Sequence, residues 1–196
     1  LHPLWSTVVV YAGALLALLL WRPASVRSLL GHPHLLALMA AAGLTNVCFN
    51  WAITAGDVVR VVLLFYLMPA WSVLLAWRVL GEVPTPMALL RLVLAFAGVV
   101  LVVLPPGVPL SQLAQGLSAV ELRAVTGGFT LALTNVMLRR LHQVPEQARM
   151  LAMFGGGALM AALVAVTGMA VGIVTPVPPV ATGWVLLALG LATAFL

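Results

Sequence analysis

At 196 residues the chain is 64% hydrophobic and only 7% charged, with a mean hydropathy of +1.20. A soluble domain is about a quarter charged, so these residues cannot clothe a water-facing surface, and a soluble enzyme, a nucleic-acid-binding protein and a disordered chain are excluded. The net charge of +5 comes from nine arginines with no lysine; scattered along apolar sequence, they read as topology markers and not as a nucleic-acid footprint.

Long continuous apolar runs point to an all-α fold, a polytopic helical membrane bundle. Only helices and closed barrels satisfy backbone groups in lipid, and barrel strands would be short and alternating. Seven segments approach the roughly 20 residues a span needs: 5–21, 35–55, 58–80, 87–104, 120–138, 150–174 and a short one, 183–196. Pro and Gly clusters separate them at Arg22-Pro23, Gly81 to Pro86, Pro105-Pro106-Gly107 and Pro176 to Pro179, as expected of loops. The first segment has no basic residue before it and no small-residue cleavage site after it, so it reads as a span and not as a signal peptide. The opening residue, Leu1, suggests a chain that starts inside a longer protein.

The second segment carries Asn46, Asn50 and Thr54 at i, i+4, i+8, one helical face, with Trp51 beside it. Such a stripe avoids lipid. It either lines a water-filled cavity or forms interhelical hydrogen bonds, and the sequence leaves both readings open. Lone Cys48, in the same apolar run, reads as a buried free thiol.

In the third segment, Pro69 cannot donate to the carbonyl of Phe65, so a mid-span kink is expected there, with Tyr66 one turn before it. Bent helices of this kind often form transporter sites. Trp71 faces either lipid or a neighbouring helix. The fifth segment has Thr126, Thr130 and Thr134 on one face with Asn135 adjacent. Threonine hydroxyls can bond back to their own helix, so Asn135 is the stronger cavity candidate. In the sixth, Gly155-Gly156-Gly157 with Ala161 reads as a close-packing surface.

Because successive loops alternate sides, seven arginines (22, 27, 78, 91, 139, 140 and 149) share one side, and only Arg60 and Arg123 lie on the other. The positive-inside rule puts the first group in the cytoplasm. Asp57 stands close to Arg60, where a local ion pair is expected, and Glu121 close to Arg123. Glu82 reads as a helix-end charge or an inner-gate contact.

An enzymatic role finds no support. Asp57 is the only Asp, no HExxH motif occurs, and His2, His32, His34 and His142 fall at span ends or in loops. His32 and His34 without a third ligand do not make a metal site. No phosphate-binding glycine motif is present. No cofactor is expected.

Gly43-Leu44 recurs as Gly190-Leu191 at an offset of 147 residues, which makes the seventh segment the counterpart of the second, five spans later. An odd number of spans per copy inverts the second copy, a transporter signature. The same arithmetic places one further span upstream and two downstream, ten in all.

The run Gly56 to Val103, with its Tyr66-Leu67-Met68-Pro69, Gly81-Glu82 and Ala97-Gly98-Val99, resembles the EamA-type transporters of the drug/metabolite transporter superfamily. Asn135-Val136 followed by Arg139-Arg140 is similar to that family's sixth span. The resemblance implies ten spans in two inverted repeats with cytoplasmic termini, and it maps this chain onto spans two to eight. Residues 1–104 are then a first repeat without its first span, 105–118 an outer linker, and 119–196 a second repeat truncated within its third span. The expected role is an inner-membrane secondary transporter that exports small metabolites such as amino acids or drugs by alternating access. Its substrate cavity would be lined by Asn46, Asn50, Trp51, Tyr66, Pro69 and Asn135. Expected partners are the small-molecule substrate and the lipid bilayer, with no nucleic acid; oligomeric state is not readable. A non-transporting membrane scaffold, whose polar faces only join helices, is the alternative.

Overall fold

The computed structural model describes residues 2–21, 26, 29, 31–103 and 118–175. All of its regular structure among these residues is helical: α1 (Pro3–Trp21), α2 (His34–Ala55), α3 (Val58–Phe65), α4 (Met68–Leu75), a π-helical turn (Ala76–Leu80), α5 (Pro86–Val103), α6 (Ala119–Arg140) and α7 (Glu146–Ala170). Helices thus run through the first six predicted spans, with a turn at 66–67 in the third and the sixth ending at Ala170, short of the expected 174. The seventh, 183–196, the linker except Ser118, and Arg22 and Arg27 lie outside the described residues.

Among the described residues, four helices are long and apolar enough to cross a membrane: Pro3–Trp21, His34–Ala55, the broken Val58–Leu80, and Glu146–Ala170. α5 carries a shorter apolar stretch, Pro86–Gly98. α6 is long at 22 residues, but its Glu, Arg, Thr, Gly and Asn content lowers its apolarity.

The chain divides into two compact units, residues 1–47 with 143–196, and residues 48–142. In the first unit α1 packs along α7. The indole N–H of Trp5, at the start of α1, donates to the carbonyl of Thr175 just past the end of α7 at 3.1 Å, so the two helices run antiparallel. α7 is an inside-out version of a soluble helix. It buries small residues, Gly155, Ala158, Ala161, Ala165 and Gly168, and exposes Leu159, Leu163 and Val166. Small residues let backbones approach, and large ones face lipid. A Cβ on Gly43 of α2 would overlap the Gly156 carbonyl, one on Gly156 would overlap the Met39 carbonyl, and one on Gly157 would strike the Tyr11 ring. The glycine triplet is therefore a packing surface for α1 and α2, as its spacing suggests.

The second unit is built around α6, which packs on α3 and α4, while α5 packs on α4. Its core is Ala52, Val61, Leu64 and Ala124. α3 starts immediately after α2 because the Asp57 side chain caps it, accepting the Arg60 backbone N–H at 2.8 Å. α6 starts on a capping box: Ser118 accepts from the Glu121 N–H and the Glu121 carboxylate accepts from the Ser118 N–H. The π-helical turn ends at Gly81, whose left-handed φ of 72° stops the helix where a residue with a Cβ would be strained.

Candidate functional site

The third span is broken near its middle. α3 ends at Phe65, Tyr66 and Leu67 form a turn, and α4 restarts at Met68 with Pro69 in its first turn. The carbonyl that Pro69 cannot bond, that of Phe65, lies against α6 at Gly128, where a Cβ would overlap it. The kink is therefore seated in a glycine notch of the neighbouring helix. The Phe65 ring packs on Phe49 with centroids 4.3 Å apart. Leu67 is buried, whereas Tyr66 is 64% exposed and Pro69 is exposed.

α6 brings a second polar group to this break. The Asn135 amide nitrogen lies 3.8 Å from the Met68 sulfur, and Asn135 is exposed. Asn135 of α6 is thus brought against Met68, which lies between Tyr66 and Pro69 along the chain. Trp71, one turn further along α4, packs edge-on against Phe96 and Phe129, with centroids 6.1 and 5.7 Å away. It is a packing residue, as one of its two sequence readings has it.

On α2, Trp51 lies under the guanidinium of Arg123, 4.3 Å from carbon to ring centroid. Asn50 is half-buried, and its carbonyl accepts the Thr54 hydroxyl at 3.0 Å. Asn46 belongs to the other unit. There its side-chain oxygen accepts the Tyr11 hydroxyl at 2.5 Å, and its nitrogen donates to the Ala42 carbonyl at 2.9 Å. That is an interhelical hydrogen bond, one of the two roles open to this stripe. The threonine face of α6 bonds back to its own helix: Thr126 to Leu122, Thr130 to Thr126, and Thr134 to Thr130.

The charged residues pair differently from the sequence expectation. Asp57 is used as a helix cap, so Arg60 takes Glu121 instead, at 2.5 Å, with the Glu121 side chain only 7% exposed. The second Glu121 oxygen accepts the Ser118 N–H at 2.7 Å. Glu82, just past the π-helical turn, pairs with Arg139 in the last turn of α6, also at 2.5 Å, with both side chains about half exposed. The first pair joins the starts of α3 and α6, and the second joins the stretch just past the π-helical turn to the last turn of α6, so the broken third span and α6 run parallel. Glu82 and Arg139 flank an open groove of about 270 Å³, with Ser72, Ala76 and Thr85 among its other walls.

Tyr11, Glu121 and Arg123 are engaged here without having been sequence candidates. For Arg123 a signal was available: the positive-inside count of the sequence sets it apart, with Arg60, from the other seven arginines. Tyr11 gave none, because its partner is on another helix.

Amide, phenol, indole and guanidinium groups at these positions can bind a polar solute. Among the described residues no three His, Cys, Asp or Glu side chains come together to hold a metal. Comparison with curated proteins and with solved structures returned no match. A family model, that of the EamA-like transporter family, matches residues 1–104, more than half of the chain. With its long apolar helices and this match, the chain belongs to the EamA-like transporter family, multi-pass membrane transporters of the drug/metabolite transporter superfamily.

Proposed function

We propose that this chain forms part of an inner-membrane secondary transporter that exports small metabolites such as amino acids or drugs. Residues 1–104 and 119–196 serve as two inverted repeats, joined by 105–118, that rock against each other to alternate access. The observation that carries this reading is the broken third helix, with Asn135 of the second repeat laid beside Met68 at the break in the first. A polar group at the breach of a spanning helix is costly in lipid, and serving a solute path is one role that offsets the cost. Asn50, Trp51, Tyr66, Pro69 and Asn135 are the proposed cavity residues, and Asn46 is proposed with them on the strength of its shared helical face with Asn50. Flux by the native protein tests this: Asn50→Ala, Tyr66→Ala and Asn135→Ala are expected to lower flux at equal folded amount. Unchanged flux in all three would remove the assignment.

One observation favours a second reading, a membrane scaffold. The Asn46–Tyr11 bond is interhelical joining of the kind a scaffold needs. That reading expects every polar variant to act through folded yield alone.

A further inference from the structure

The two arginines on the arginine-poor side have different surroundings. Arg60 is neutralised by buried Glu121. Arg123 follows Glu121 by two residues on α6, about 200° around a helix, and so is directed away from that pair, toward α2. Among the described residues no carboxylate stands within ion-pair distance of it. Its contact there is the face of the Trp51 ring, 4.3 Å away. An aromatic face attracts a cation but takes up little of its hydrogen-bonding capacity. A guanidinium carries five N–H donors in a planar fork that fits a carboxylate.

An arginine placed against the positive-inside rule, half-buried in the second turn of α6 and, among the described residues, unmatched by an acid, needs a reason to be there. The Trp51 ring face supports the guanidinium from one side, which lowers the freedom lost when a ligand arrives. Asn50 precedes Trp51 on α2, adding an amide-bearing position beside the ring. From this arrangement we propose that Arg123, held over Trp51, is a carboxylate-binding subsite. The transported solute is then an amino acid or another small carboxylic acid, and its carboxylate is taken by the Arg123 fork. The inference rests on the transport reading above and narrows its substrate class.

The test uses the native protein in vesicles with paired probes: leucine with leucinamide, and phenylalanine with phenylalaninamide. Each pair differs only in the carboxylate. Wild type is expected to prefer the acids, and Arg123→Gln to lose about tenfold or more of that preference while still moving the amides. Arg123→Lys, which keeps the charge without the fork, is expected to fall between them, and it carries the test if Arg123→Gln does not fold. An acid-to-amide ratio unchanged in the variants overturns the subsite and leaves transport standing. So does a wild type that moves amides as well as acids. Equal loss of acid and amide flux, present with phosphatidylglycerol and absent in phosphatidylcholine alone, would assign Arg123 to a lipid phosphate and overturn the subsite. A wild type that moves none of the four probes overturns the subsite together with the transport reading for this solute class.

Discussion

Arg60 and Glu121 join the starts of two parallel helices through an ion pair whose acid is almost wholly buried and whose base is 39% exposed. The Glu121 carboxylate also closes the capping box of α6, so one side chain fixes both a helix start and a helix–helix contact. Arg60→Ala leaves that carboxylate buried with only the capping bond. We expect a loss of about 1–3 kcal/mol, below the range for a fully buried pair because the arginine is part-exposed. Arg139→Ala, at the half-exposed pair with Glu82, is expected to cost less than about 1 kcal/mol. Unfolding titrations of the two variants check the order; equal losses would contradict it.

Glycine positions divide into two classes. A Cβ on Gly128 or Gly156 would overlap a neighbouring backbone carbonyl, whereas Gly13 and Gly98 have nothing within 4 Å of theirs. Backbone cannot move aside as a flexible side chain can. Gly128→Ala and Gly156→Ala are therefore expected to cost about 1–3 kcal/mol, and Gly13→Ala and Gly98→Ala to be neutral or slightly stabilising. Thermal stability of the purified variants separates the classes.

The Tyr11–Asn46 hydrogen bond makes a double-mutant cycle informative. Tyr11→Phe and Asn46→Ala are expected to be non-additive, with a coupling of about 0.6 kcal/mol and at most about 1.7. Strict additivity would mean that the bond contributes nothing to holding α1 against α2.

Much of this architecture is legible from local sequence. Apolar runs and Pro/Gly loops place the helices, Pro69 marks the break, and the glycine triplet marks a packing face. These features depend on neighbours along the chain. What is not legible is which distant groups meet. Asp57 beside Arg60 suggests a local pair, but a helix start needs its N–H groups capped, and Asp57 is spent on that. Arg60 is then left for Glu121 on another helix. In the same way, the spacing of Asn46 puts it on a face with Asn50, yet no spacing rule reveals that Tyr11 of α1 reaches it. The threonine row of α6 satisfies itself within one helix, so its periodicity carries less meaning than that of Asn135.

The most direct test of the central claim is flux per folded molecule for wild type and Asn135→Ala, with Gly128→Ala alongside as a packing control. The transporter account predicts that Asn135→Ala keeps normal folded yield and loses about two- to tenfold in flux, the worth of one hydrogen bond, while Gly128→Ala loses yield. A fall in Asn135→Ala yield with unchanged flux per folded molecule would contradict it and make the break a joint between helices.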